Sequence, residues 1–104
     1  MTDTITRRRI EVLADEPLMQ AIERLAATAG IDHFTLLPLL GGKGRSGRWR
    51  DDQISGATSK VMFMAVTTTE RADHLTDLLE PLLATHHLIV LVSEVEVVRG
   101  SRFA

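Results

Sequence analysis

Cysteine and tyrosine are absent from the 104 residues, tryptophan occurs once, phenylalanine three times and proline three times. Without cysteine the chain can build neither a disulfide framework nor a thiolate metal site, and it suits a reducing compartment. No run approaches the roughly 18 apolar residues of a membrane span. The first six residues, followed by Arg7-Arg8-Arg9, hold no apolar core of a secretory signal. The expected location is therefore cytoplasmic, with no direct membrane insertion. A formal net charge of −2 also removes any general attraction to nucleic acid or to an anionic membrane, so such binding would need a local patch.

What is present fits one small globular domain, 1–104, with 44% hydrophobic and 25% charged residues. At this size burial through oligomerisation adds usefully to the core. The most distinctive stretch lies between two apolar runs: Gly41-Gly42-Lys43-Gly44-Arg45-Ser46-Gly47-Arg48-Trp49-Arg50-Asp51-Asp52. Glycines let a ligand approach the backbone, and the interspersed cations supply donors and charge, which together suggest an anion-binding loop. A solvated hairpin loop with no ligand is the competing reading. Gly42, Gly44 and Gly47 satisfy G-x-G-x-x-G, but no helical periodicity follows them, so the dinucleotide fingerprint fails. No Gly-Lys-Ser/Thr triplet occurs, which excludes the Walker pattern as well.

Period-two alternation predicts a strand over Ile5–Leu13, with Arg8, Ile10 and Val12 on one face. Asp15, Glu16 and Pro17 make a helix start, Leu18, Ile22, Leu25 and Ala29 form its apolar stripe, and Gly30 stops it. A second strand is expected over Ile31–Leu40, at an edge or with a bulge because Pro38 lacks an N–H. A loop then runs to about Ser59. Lys60–Val66 reads as a strand apolar on both faces, and a second helix starts from Thr69 as its cap. Its buried stripe is Ala72, Leu75, Leu79 and Leu82, and Pro81 should kink it or split off its last turn. Leu88–Val98 is the final strand. The order β-α-β, loop, β-α-β implies an α+β, ferredoxin-like unit with a four-stranded antiparallel sheet. Two helices on one face leave the other apolar face to be covered by oligomerisation.

Several residue groups admit functional readings that are weaker than ordinary ones. His86 and His87 adjoin a helix end, where imidazolium is favoured. With no further ligand at metal-site spacing they read as a polar turn, and His33 and His74 as surface residues. No metal site is assigned. Asp51/Asp52 and Glu94/Glu96 read as solvated acids rather than catalytic pairs, and Met62/Met64 as core, with flexible side chains that suit packing at a subunit interface. Trp49 between Arg48 and Arg50 could stack a nucleic-acid base. An anchor on a protein target is the better reading, and nucleic acid is not expected as a partner.

Phe34-Thr35-Leu36-Leu37-Pro38-Leu39 leading into Gly42-Lys43-Gly44-Arg45, together with Lys60-Val61-Met62-Phe63-Met64 and Val97-Val98-Arg99-Gly100, resembles the PII signalling protein superfamily over nearly the whole chain. The resemblance implies a PII-like homotrimer with no enzymatic activity, in which segment 41–59 corresponds to the family's T-loop. Adenine nucleotide would bind between subunits, with Gly42, Gly44 and Arg45 lining the cleft and Arg99, Arg102 and Lys60 approaching the phosphates. Arg48, Trp49 and Arg50 would contact a target protein. The absent tyrosine removes the loop tyrosine that some members have modified. Thr85-His86-His87 stands where ATP-binding members carry a glycine-rich, lysine-containing phosphate loop, which favours AMP or ADP. A shortened, basic loop is similar to the carboxysome-associated PII-like proteins, and implies an adenine nucleotide alone or with bicarbonate. The expected role is regulation of a partner in inorganic-carbon or nitrogen metabolism. Two alternatives remain open: a trimeric metal-binding or metal-tolerance protein of the same fold, and a small nucleic-acid binder using Arg48, Trp49 and Arg50.

Overall fold

The structure, a computed structural model, describes residues 3–45, 47–50 and 59–98. In chain order these form β1 (Thr4–Asp15), a 3-10 turn (Glu16–Leu18), α1 (Met19–Thr28), β2 (Thr35–Pro38), β3 (Gly41–Gly44), β4 (Gly47–Arg50), β5 (Lys60–Thr67), α2 (Thr69–Thr85) and β6 (Ile89–Val98). The main sheet has the order β2-β5-β1-β6, every neighbour antiparallel. This is the expected α+β architecture, with Pro38 on an edge strand where its missing N–H costs no ladder bond.

Alternation along β1 and β5 decides what the sheet buries. Ile10, Val12, Ala14, Phe63 and Ala65 face the helices and are sealed against Met19, Ile22 and Ala26 of α1 and Leu75 and Leu79 of α2. Phe34 stacks on Phe63 with ring centroids 5.0 Å apart. The opposite face is also largely apolar but wet: Leu37, Ile89 and Leu91 are 37%, 55% and 50% exposed. Their neighbours Leu13, Met62, Met64 and Val66 are only half-buried. A 3.5 Å Arg9–Glu11 ion pair lies on this same face.

Both helix ends follow from local chemistry. Gly30 takes φ 84, a left-handed conformation, which lets its N–H reach Ala27 O at 3.0 Å and lets the Ile31 N–H reach Ala26 O at 2.9 Å. This is the paired C-terminal closure that glycine favours. The N-cap of α2 is Thr68, not the expected Thr69: the Thr68 hydroxyl accepts from the Arg71 N–H at 3.3 Å. Nor does Pro81 split α2, which runs through it as one 17-residue helix. The ring lies on the exposed side while Leu75 and Leu79 hold the other side to the core.

β2 is shorter than the expected Ile31–Leu40 and pairs only with Val61–Met64 of β5. The register of β1 with β6 runs from Leu13↔Ile89 to Thr4↔Val98, whereas pairing with β5 ends at Arg8↔Thr67. Beyond Arg8, β1 and β6 therefore continue as a two-stranded ribbon.

Candidate functional site

The glycine- and arginine-rich stretch, expected as a loop, contains a second small sheet. β3 and β4 pair with the register Gly41↔Arg50, Gly42↔Trp49, Lys43↔Arg48 and Gly44↔Gly47. Gly47 takes φ 105, a conformation that L side chains rarely adopt, and so serves the turn at the tip. Because side chains alternate across a ribbon, Lys43, Arg48 and Arg50 share one face and Trp49 lies on the other with Gly42. The Arg48-Trp49-Arg50 triplet is thus divided between two faces. Arg48 and Arg50 are exposed and Trp49 is half-buried.

Two glycines are required here by close approach. A Cβ on Gly42 would meet three atoms of the Trp49 indole at 3.0–3.2 Å, and one on Gly41 would meet Trp49 O at 2.6 Å. The indole is laid flat along bare backbone.

The same indole contacts Lys60, whose Nζ stands 5.5 Å from the ring centroid. Lys60 Nζ also donates to Asp15 Oδ1 at 2.7 Å. The sheet explains the meeting, because Asp15 and Lys60 are cross-strand partners where β1 ends and β5 begins. Backbone bonds brace this corner: the Glu16 N–H donates to Ser59 O at 3.0 Å and the Leu39 N–H to Lys60 O at 3.1 Å. Asp15, Lys60 and Trp49 therefore form a clasp between the sheet and the root of the arm. An open concavity of about 520 Å³ borders the arm, lined by Leu40, Gly41, Gly42, Lys43, Arg48, Trp49 and Arg50.

Among the described residues, those singled out for a nucleotide do not all converge within one chain. Gly42 and Lys60 meet at the root through Trp49, whereas Gly44 and Arg45 lie at the tip. Arg99 and Arg102 lie outside the described residues, as do Asp51, Asp52 and the rest of 51–58. Val98, the residue before Arg99, pairs with Thr4 at the opposite end of β1 from Asp15. At about 3.3 Å per residue those ends of β1 are about 36 Å apart. Asp15 reads from sequence as part of a helix start and not as a site residue; its side chain makes no cap bond and pairs with Lys60 instead. Its acidic character at the end of a strand was visible, but its partner is 45 positions away and only the β1–β5 register connects them.

The four histidines are exposed, and His86 Nδ1 lies 2.8 Å from Thr85 Oγ1. Among the described residues no three His, Asp or Glu side chains gather as a metal site would require. Glu94 and Glu96 are exposed and stand opposite Arg8 and Thr6, with Glu96 accepting from the Thr4 hydroxyl at 3.4 Å. No helix among the described residues is long and apolar enough to cross a membrane.

No protein of curated function matches the chain in sequence. Among solved structures, it is similar to CPII of Thiomonas intermedia K12, a nitrogen regulatory PII-like protein bound to ADP, AMP and bicarbonate. That match has a TM-score of 0.87 at 20% identity and covers 99% of this chain and 98% of the other. A Thermus thermophilus protein described as PII-like and signalling matches with a TM-score of 0.83 at 17% identity, over 98% and 99% of the two chains. CutA of Synechococcus elongatus PCC7942, complexed with Bis-Tris, matches less well, with a TM-score of 0.66 at 14% identity over 98% and 91%. At these identities the structures establish the fold. The sequence family Nitrogen regulatory protein P-II matches residues 7–102, nearly the entire length, and the chain belongs to that family.

Proposed function

We propose that this chain is a single PII-like domain, 1–104, acting as a non-enzymatic cytoplasmic sensor. As a homotrimer it binds an adenine nucleotide, AMP or ADP, alone or with bicarbonate, between subunits. It then regulates a partner protein in inorganic-carbon or nitrogen metabolism through segment 41–59. The observation that carries the reading is the likeness to CPII, which shares the fold over almost its full length and is described as bound to ADP, AMP and bicarbonate.

The chemistry of the arm supports it. Gly42 and Gly44 offer backbone without side chains, Arg45 offers a guanidinium fork suited to phosphate oxygens, and Lys60 is a cation at the root. Arg99 and Arg102 complete the proposed set. Since Val98 and Lys60 stand at opposite ends of the sheet, a site drawing on both would be composed from different copies. The wet apolar face around Leu37, Ile89 and Leu91 supports a partner copy independently, because such faces mark interfaces.

Isothermal titration calorimetry with AMP, ADP, ATP and cyclic AMP, each with and without bicarbonate, tests the reading. Micromolar binding of AMP or ADP, lost in Arg45→Ala, is the expected result. No heat with any nucleotide under either condition overturns it.

A further inference from the structure

We infer that Arg9 of one copy of this chain pairs with Glu11 of the next, and that this contact makes self-assembly selective for identical copies. The inference rests on the reading that the wet sheet face closes against another copy, and adds which side chains recognise that copy.

The strand register places the two charges. β1 is an inner strand, and on its wet side Arg9 lies between Val66 and Ser93, Glu11 between Met64 and Leu91, and Leu13 between Met62 and Ile89. One cation and one anion are thus set into a largely apolar surface on one of its inner strands.

Within the chain they are poorly satisfied. Their contact, Arg9 Nε to Glu11 Oε1, is 3.5 Å, beyond the usual range of a strong hydrogen bond. The Glu11 side chain is nevertheless only 18% exposed, against 45% for Arg9. Among the described residues no other hydrogen bond or ion pair reaches either side chain. Ser93, directly opposite Arg9, has its hydroxyl buried without a partner and takes up none of the remaining guanidinium donors.

Closing the face would strip water from both groups. A desolvated ion pair is repaid only by good geometry and further hydrogen bonds, which one long contact does not supply. The covering surface must therefore supply them. A second copy does so by construction, because it carries one cation and one anion at the same spacing on the same apolar ground. In a closed ring each Arg9 takes the Glu11 of the next copy, and every charge is used once. Arginine grips a carboxylate through two parallel hydrogen bonds, so the contact also fixes the offset between copies. A merely apolar cover would leave both charges buried and short of partners, and such a penalty is how interfaces reject wrong partners.

The test is native mass spectrometry of isotope-labelled wild type unfolded and refolded together with unlabelled Arg9→Glu/Glu11→Arg. The exchanged variant keeps the net charge and the pair within the chain, but across copies it matches only its own kind. Each protein alone is expected to assemble to the same size, and labelled and unlabelled wild type to scramble statistically. Particles mixing wild type with the variant should fall about tenfold or more below the statistical level, because like charges would meet at the contact. Statistical mixing, or a variant that does not assemble, overturns the inference. A second measurement needs no charge reversal. The chain has no cysteine, so an oxidised mixture of Arg9→Cys and Glu11→Cys should give a covalent dimer joining positions 9 and 11 as its main product. Absence of that dimer also overturns the inference. Wild type found as a single copy removes this contact together with the homotrimer, whereas assembled wild type that mixes freely with the variant removes only the contact.

Discussion

Replacing Lys60 with Met isolates the clasp, because the side chain keeps its length and apolar stem and loses only its charge. Two contacts disappear: the 2.7 Å ion pair to Asp15 and the 5.5 Å approach to the Trp49 ring. Both partners of the ion pair are partly exposed, 27% for Lys60 and 43% for Asp15, so solvent screens it. Exposed pairs contribute about 0.2–1 kcal/mol, and a cation over a half-buried, solvent-accessible aromatic about 0.5–1 kcal/mol. The second contribution holds the arm alone, which can open without unfolding the sheet. Global stability should therefore fall by no more than about 1 kcal/mol, a melting-temperature drop within about 4–8 °C for a domain of this size. The local effect should be larger. Trp49 is the sole tryptophan, so its emission reports the arm without ambiguity, and Lys60→Met should shift it to the red and increase quenching by acrylamide. Adding Asp15→Asn to Lys60→Met should change little further, because Asp15 acts on the arm only through Lys60. Unchanged Trp49 quenching in Lys60→Met would refute the clasp. A melting-temperature loss well beyond about 8 °C would refute its separation from the core.

Other perturbations follow from single contacts. Gly30→Ala forces a side chain into φ 84 with its Cβ 3.2 Å from Arg71 Nε. The left-handed conformation alone costs about 1–2 kcal/mol, readable as a lower denaturant midpoint with an unchanged slope. Gly42→Ala should displace the indole, with Cβ contacts as short as 3.0 Å, and alter Trp49 emission, whereas Gly44→Ala, which meets nothing within 4 Å, should leave it unchanged. Leu91→Glu places a charge on the half-exposed apolar sheet face. Light scattering should then report a smaller particle with wild-type circular dichroism, and an unchanged mass would contradict burial of this face between copies.

The main sheet and helices were legible because their periodicities are strong. Ile10 and Val12 alternate cleanly, Ile22 recurs with Leu25 and Ala29, and Gly30 and Pro17 mark helix ends with chemistry that needs no tertiary context. The apolar second face of β5 announced the uncovered sheet face for the same reason. The arm was less legible. Gly41, Gly42 and Gly44 carry no side chain to alternate, so β3 has no period to detect, and pairing emerges only with Trp49 laid across Gly42. Once paired, adjacent Arg48 and Trp49 must point apart, which a reading of the triplet as a single basic-aromatic patch does not anticipate. Thr68 displaced Thr69 as the helix cap by one position, a shift decided by which hydroxyl reaches the Arg71 N–H. Pro81 reads as a kink or a lost last turn because its local cost is real. Burial of Leu75 and Leu79 on the opposite side keeps the helix continuous. The Asp15–Lys60 pair required the register of two strands far apart in the chain.

The central claim is that an adenine nucleotide sets the state of the arm, and a ligand can do this only by favouring one arm conformation over another. Titrating ADP in bicarbonate buffer while recording Trp49 emission, alongside calorimetry on the same sample, tests it most directly. The account predicts that both signals saturate at the same nucleotide concentration and that Lys60→Met uncouples emission from binding. Calorimetric binding of ADP with Trp49 emission unmoved would contradict it.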